Sequence, residues 1–461
     1  MKRIAIVGGG IAGLSAAYTL QKARQNGASL EWTLFEKSDR LGGVIRTEHH
    51  DGFVLEAGPD SFLTAKPEAA RLCGELGIAG EIIPSNDFQR KTYILVRNRL
   101  VPIPDGLQFM VPTRILPMIS TPLFSLGAKV RMATEWFSGM RGQNGDESVA
   151  AFVRRHFGQE MVDRVAEPLL AGVYGGNAEK LSLRAVLPRF AEMEAQHGSL
   201  VRATLHARKT ATAQAQGQPL FSSLKNGIQQ LADALIAALP PAALKLAEPV
   251  ASLQKTAGSW QITTTNGTGD FDAVLLGIPA PCCAGLLQSV NPEVSRRLAR
   301  IGYTSSAAVA LAFDRVSLPE GFGFLIPASE RRSLLACTFV HNKFHHRAPQ
   351  GKVLLRCFFS SSRTPDLMQL SEEDLRSRAR QELQEILGLQ QEPRFSRVFR
   401  WAYGLPQYET GHLERAAEIE QQLSTLPGLH LIGNSLYGVG LPDCIKSGRA
   451  AAEKAIGQES N

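Results

Sequence analysis

Three glycines spaced Gly8-x-Gly10-x-x-Gly13, and a carboxylate at Glu36, are the residues whose types and spacing speak most directly of chemistry. Glycine at these positions lets the chain turn tightly, lets bare backbone approach a diphosphate, and lets the next helix pack close to a sheet. Gly9, Ile11 and Ala12 complete the turn, and the helix opening at about Ile11 aims its amides and dipole at an anion. Glu36 follows at the tip of the next strand, LEWTLFE, where its oxygens can accept hydrogen bonds from both hydroxyls of a ribose. Strand, turn, helix, strand and acid in this order predict a dinucleotide site, against a glycine-rich turn that serves only packing.

Three further segments bear on which dinucleotide is bound. Asp39-Arg40-Leu41-Gly42-Gly43, next to Lys37, places a second glycine pair beside the same diphosphate. Glu56-Ala57-Gly58-Pro59 is a short turn suited to running along a flavin. Gly438-Val439-Gly440-Leu441 can bring backbone amides to the flavin pyrimidine edge. A nicotinamide enzyme needs none of these later segments, so non-covalent FAD is the expected cofactor.

The elements that must position these residues are spread along the whole chain. The expected fold class is α/β with mixed α+β character: a Rossmann-like FAD-binding domain, an antiparallel-sheet substrate domain and a helical insertion domain. The FAD-binding domain takes residues 1–85, 220–285 and 426–461, the substrate domain takes 86–111 and 286–425, and the helical domain takes 112–208. TYILV and RLVPI, joined at Arg97-Asn98, predict a hairpin, and Asn266-Gly267 predicts a second turn between strands. Apolar runs from about Tyr303 to Trp401 predict the antiparallel sheet. KTATAQAQGQP (209–219) and MRGQNGDE (140–147) read as loops, and SSLKNGIQQLADALIAAL reads as helix.

Composition excludes several classes. A 461-residue chain with 44% hydrophobic and 20% charged residues is globular and long enough for two or three domains. The apolar stretch after Lys2 and Arg3 contains the glycine turn, so it predicts a first strand and helix, not a signal peptide. No uncharged run reaches the ~20 apolar residues of a membrane helix. Residues 111–128 are the most lipid-tolerant segment, interrupted by Arg114 and three prolines; peripheral membrane contact stays open there beside burial in the helical domain.

The six cysteines lack metal-ligand spacing and fit a reducing, cytoplasmic setting as small core residues. His341, His345 and His346 lie in the loop-like FVHNKFHHRAP without a carboxylate or thiolate partner, so no metal is expected. The net charge of +7 is unevenly spread: Asp105 is the only acid from Phe88 to Thr134, and none occurs from Arg331 to Pro365 or from Ala195 to Ala232. This predicts either a solvated basic face or a field that draws an anionic substrate. No recognition helix or basic-aromatic repeat accompanies the charge, so nucleic acid is not an expected partner.

GPDSFLTAKP (58–67), LVPIPDGLQFMVPT (100–113), AEPLLAGVYGGN (166–177), LPQYETGH (405–412) and GVGLPDCI (438–445) together resemble the flavin amine oxidase superfamily, and within it the soluble Gram-positive porphyrinogen oxidases. The resemblance runs from Lys2 to about Ala455. It implies six-electron oxidation of coproporphyrinogen III in heme biosynthesis, with protoporphyrinogen IX as the other candidate substrate. It also implies an anionic tetrapyrrole and dioxygen as partners, hydrogen peroxide as product, and no obligatory general base. Val250 and Trp401 are implied as further cofactor contacts. Lys66 could pair with a propionate or stabilise charge on the flavin, or be an exposed lysine at a helix start. Arg90 and Lys91 are candidate propionate partners, although Thr92 stands where the plant-type branch has arginine. An amine oxidase or carotenoid desaturase would instead need an aromatic cage or an apolar tunnel. A Rab-escort-type binding protein would lack flavin turnover.

Overall fold

Five parallel strands meet in the computed structural model, which describes residues 1–139, 145–210 and 218–457. Their order is Leu244–Lys245, Leu30–Phe35, Lys2–Val7, Ala273–Leu276 and Leu429–Leu431. Lys2–Val7 lies at the centre, with Ile4, Ala5 and Ile6 fully buried, the pattern of a parallel strand covered on both faces. Register runs from Lys2 opposite Leu30 to Val7 opposite Phe35, which brings the glycine turn and Glu36 to the same sheet edge. The helices Ile11–Gln25 and Leu441–Ile456 pack closely on each other. A Cβ on Gly448 would lie 2.1 Å from the Ala12 carbonyl oxygen, so glycine sets that distance.

The second large sheet has seven strands, in the order Phe395–Gln407, Gly302–Phe313, Val353–Ser360, Leu334–Phe339, Gly323–Leu325, Thr92–Val96 and Arg99–Pro102. The hairpin at Arg97-Asn98 and the turn at Asn266-Gly267 both form. One pairing differs from the antiparallel expectation: Gly323–Leu325 and Thr92–Val96 run parallel. The two strands come from distant parts of the chain, so no short turn forces them antiparallel, and Phe322 N–H donates to Lys91 O at 2.8 Å as the pair begins. One face of this sheet is covered by the helix Glu372–Leu387, whose Leu375, Ala379 and Leu383 pack with Leu311, Leu355 and Phe359. The opposite face packs Ala310, Ala312 and Leu354 against Phe53, Leu55 and Ala57 of the cofactor half.

Helices dominate from Ile115 to Thr210. Gln159–Met161 passes through a single π-type turn, Val162–Ala166, into Glu167–Tyr174, and the helical core gathers Phe152, Phe157, Met161, Val165 and Leu170. Glu135 is fully buried; its carboxylate accepts from Ser199 Oγ at 2.8 Å and Leu200 N–H at 2.6 Å, capping the helix Leu200–Thr210.

Two local expectations are corrected. Phe221–Leu224 is a strand, paired with Phe62–Leu63 and Ile82–Pro84, and helix begins only at Gln229; the long-range pairing overrides helical periodicity there. Val340–Lys343 is a short helix instead of loop. Residues 211–217 of the expected loop 209–219, and 140–144 of the loop 140–147, lie outside the described residues. Five of the six cysteines are buried and all are unbridged. No group of three or more metal-ligating side chains occurs among the described residues.

Candidate active site

The glycine turn divides its work among its residues. A Cβ on Gly13 would lie 2.0 Å from Gly8 O, so this glycine serves close helix–strand packing, and Gly8 holds a φ of +107°. A Cβ on Gly9 would strike the Leu41 side chain at 2.4 Å. Gly10 differs: nothing lies within 4 Å of its Cβ direction, so open space faces the first helical turn. The helix has no side-chain cap and no acid in its first turn, and its first intrahelical bond is Leu14 N–H to Gly10 O at 2.9 Å. The amides of Ile11, Ala12 and Gly13 precede that bond and carry the positive end of the helix dipole, a site suited to an anion.

Glu36 closes this end. Its Oε2 accepts from Gly9 N–H at 2.7 Å and its Oε1 from Ser38 N–H at 2.9 Å and Ser38 Oγ at 2.8 Å, which fixes the carboxylate and leaves acceptor capacity on Oε2. Gly42 N–H donates to Gly9 O at 2.8 Å, laying the second glycine pair against the first, and Gly43 lies beside Gly10. Arg40 folds this loop through the carbonyls of Leu41, Gly43 and Ile45, whereas Lys37 points to solvent. Val250 starts a strand reached from Glu248, whose N–H donates to Glu36 O at 2.9 Å, so it borders the same end. Open space, free amides and a fixed carboxylate fit a flavin dinucleotide.

The Glu56–Pro59 turn is held from below by buried cations. Trp401 Nε1 donates to Ala57 O at 2.8 Å, and Arg356 donates to the carbonyls of Ala57 and Gly58. A Cβ on Gly58 would lie 1.9 Å from Val44 O. Burial lowers the Arg356 pKa, opposed by the charges of Asp60 and Glu56. Asp60 pairs with Lys343 at 3.0 Å. Burial alone would raise the Asp60 pKa, but Lys343, Arg356 and the Ser61 hydroxyl hold it well below the usual carboxylate range. The Glu56 side chain is engaged within the protein. Its oxygens accept from Thr47 Oγ1 at 2.7 Å and Ile228 N–H at 2.8 Å, with Arg347 at 3.5 Å, and burial raises its pKa against those partners. It joins the turn to the neighbouring strand and helix.

Across the site, Lys66 is not a lone exposed lysine. Its Nζ bonds both Asp443 oxygens, at 2.6 and 2.7 Å, and the adjacent helix begins only at Glu68. Asp443 Oδ2 also accepts from Gly440 N–H at 3.2 Å, so the Val439–Gly440–Leu441 segment is tied to the first turn of Leu441–Ile456. Tyr174 ends the helix Glu167–Tyr174, and its phenol is pushed up to about 12, by burial and then by the Asp443 charge. The following Gly175 and Gly176 are pinned by Ser360 Oγ, which donates to Gly175 O at 2.8 Å, and by Gln407, whose Nε2 donates to Tyr174 O at 2.8 Å.

Arg90 and Lys91 lie apart from these groups in their bonding. Lys91 reaches Glu320 at 2.9 Å and Arg90 sits 3.9 Å from Asp87, with Asp87 half-buried and the other three exposed. The other acid-free stretch is likewise neutralised in space: Arg332 meets Glu382, Lys343 meets Asp60, and Lys352 meets Asp314. Sequence spacing missed Asp443, Tyr174 and Arg356. Asp443 carried a signal, since an acid three residues after Gly440 is a helix-capping pattern. Arg356 carried another, as a lone charge inside the apolar run KVLLRCFF.

A profile of the family described as flavin containing amine oxidoreductase matches residues 11–456. The chain is 36% identical to coproporphyrinogen III oxidase of Bacillus subtilis, over 99% of this chain and 98% of that protein. It is 31% identical to the Staphylococcus aureus enzyme of the same name, over 99% of both, and 28% identical to Arabidopsis thaliana protoporphyrinogen oxidase 2, over 99% and 94%. A solved structure from Exiguobacterium sp., described as a candidate protoporphyrinogen oxidase, superposes with a TM-score of 0.88 at 32% identity, covering 99% and 98% of the two chains. A putrescine oxidase at 16% identity and TM-score 0.71, covering 99% of each chain, shares the fold alone. With a family profile matching residues 11–456 and likeness along its full length, the chain belongs to the flavin containing amine oxidoreductase family and is an oxidoreductase.

Proposed function

We propose that this protein is an FAD-dependent oxidase that converts coproporphyrinogen III to coproporphyrin III in heme biosynthesis, in the cytoplasm, with protoporphyrinogen IX as a second substrate. The observation that carries this reading is the full-length likeness to coproporphyrinogen III oxidases of several bacteria. Bound FAD would accept hydride from the macrocycle and pass electrons to dioxygen, giving hydrogen peroxide. The chain's own residues bind and orient. The Ile11–Gly13 amides hold the diphosphate, Glu36 the ribose, and Gly438–Leu441 the flavin edge. Arg356 and Trp401 fix the Ala57–Gly58 carbonyls. Residues 1–85, 220–285 and 426–461 form the cofactor domain, 86–111 and 286–425 the substrate domain, and 112–208 the helical one. Arg90 and Lys91 serve as propionate partners by exchanging Asp87 and Glu320 for substrate carboxylates.

A peripheral lipid contact is part of this reading. No helix among the described residues is long and apolar enough to cross a membrane. Ile115, Leu116, Ile119, Leu126, Val130 and Phe137 nevertheless stand exposed, Leu116 at 79% and Phe137 at 84%, with Arg114 and Arg131 exposed among them. Apolar side chains interleaved with cations suit the surface of an anionic bilayer. Sedimentation with anionic vesicles, lost on Leu116→Asp together with Phe137→Asp, is the expected result; equal sedimentation of both forms removes the contact. For the reaction itself, oxygen uptake is measured with coproporphyrinogen III and protoporphyrinogen IX side by side. A purified protein without flavin, or one oxidising neither compound, defeats the assignment.

A further inference from the structure

The Lys66–Asp443 pair presents an electrostatic problem. Asp443 occupies the third position of the helix Leu441–Ile456, where the positive end of the helix dipole favours a carboxylate. It also lies against the Gly438–Leu441 loop: its Oδ2 takes the Gly440 amide, and a Cβ on Gly438 would lie 2.5 Å from the Asp443 Cγ. A carboxylate there opposes any negative charge gained on the same side. The Lys66 ammonium, bonded to both oxygens, cancels that charge. The lysine side chain is 43% exposed and its partner 23%, so the pair stands at the wall of the site and not in the core. Its field reaches neighbouring groups. The Cys444 thiol is pushed up to about 12 by burial and then by Asp443, with Lys66 acting in the opposite sense.

Resting on the flavin reading above, we propose that Asp443 is a positioning residue that holds the Lys66 ammonium against the flavin-edge loop, and that the two charges set the cofactor's reduction equilibrium in opposite directions. Reduction adds negative charge to the bound group, so an adjacent ammonium favours it and an adjacent carboxylate disfavours it. The arrangement also assigns Lys66 a defined partner whenever no substrate carboxylate is present. A propionate reaching Lys66 would compete with Asp443, so substrate binding and the cofactor's potential become linked through one ammonium.

The test is the midpoint potential of the bound flavin, measured by equilibration with a reference dye and without substrate. Asp443→Asn keeps an oxygen for the Gly440 amide while removing the charge. It should shift the two-electron equilibrium toward the reduced form by about tenfold, or about 30 mV. Lys66→Met should shift it a similar amount toward the oxidised form, and the double variant should fall near the wild type. A potential unmoved in either single variant, or moved the same way in both as general loosening would do, overturns the proposal. If Asp443→Asn retains no flavin, Lys66→Met decides alone: a lowered potential supports the pair, and an unmoved or raised one overturns it. A wild type that binds no flavin defeats the functional reading itself, a result distinct from bound flavin with unopposed shifts.

Discussion

Replacing Glu36 by alanine removes a carboxylate that holds the Gly9 and Ser38 amides and offers its remaining acceptor capacity to a ribose. Charge-assisted hydrogen bonds contribute about 1.5–3 kcal/mol each, so FAD affinity should fall about tenfold or more while the fold persists when FAD is supplied. Unchanged affinity by titration would take Glu36 out of the site. Asp60 gives a pH-dependent test. Its carboxyl is held below its ordinary range, so its stabilising effect is present above the unfolded value of about 4 and fades as pH falls toward the folded value. Asp60→Asn should therefore cost about 3 kcal/mol near neutrality, leaving Lys343 without its anion, and much less near pH 1. An equal loss at both pH values by denaturant unfolding would contradict the pairing. At this scale the sequence was legible where geometry is encoded in short spacing, as in the tight turn Gly8–Gly13 that meets Glu36. It was opaque where partners are remote: Lys66 and Asp443 are 377 positions apart, and Arg356 is 298 from Gly58.

The contact between the helices Ile11–Gln25 and Leu441–Ile456 is set by a missing side chain. Gly448→Ala would drive a methyl to 2.1 Å from Ala12 O, backbone that belongs to the diphosphate-binding turn. Overpacking of this kind costs about 1–3 kcal/mol. Lower melting temperature and weaker FAD retention should appear together. Gly285→Ala is the control: it lies in the helix Ala280–Leu287 with nothing within 4 Å, and alanine there should be neutral or stabilising. Similar melting temperatures for the two variants would show that the helix contact is looser than drawn. Elements with strong local patterns, such as Lys2–Val7 and the hairpin at Arg97-Asn98, were readable before the structure. Phe221–Leu224 was not, since its conformation follows from distant strand partners, and Val340–Lys343 was not, since a single helical turn is too short to show a periodicity.

For the molecule as a whole, charge has to be judged after folding. Acid-free stretches looked like a basic field, yet Glu320, Glu382, Asp60 and Asp314 arrive from elsewhere and answer Lys91, Arg332, Lys343 and Lys352. A preference for coproporphyrinogen III, with four propionates, over protoporphyrinogen IX, with two, then rests on two extra partly exposed pairs. These imply a kcat/KM ratio of about two- to thirtyfold, at about 0.2–1 kcal/mol per pair. The ratio should shrink as salt is raised, and also on neutralising Arg90 and Lys91. A preference for protoporphyrinogen IX at low salt would reverse the substrate assignment.

The five-stranded sheet also dictates a timetable. Its strands begin at residues 2, 30, 244, 273 and 429, so its last edge is synthesised long after the other four strands. On the proposed cofactor reading, a nascent chain carries the diphosphate end of the site long before the Gly438–Leu441 loop, which follows that edge strand, can enclose the ring. Sheets closed by such distant segments are slow to assemble and expose apolar surface while they wait. Riboflavin supply during expression should then govern the soluble yield of this protein more than the activity of molecules already folded.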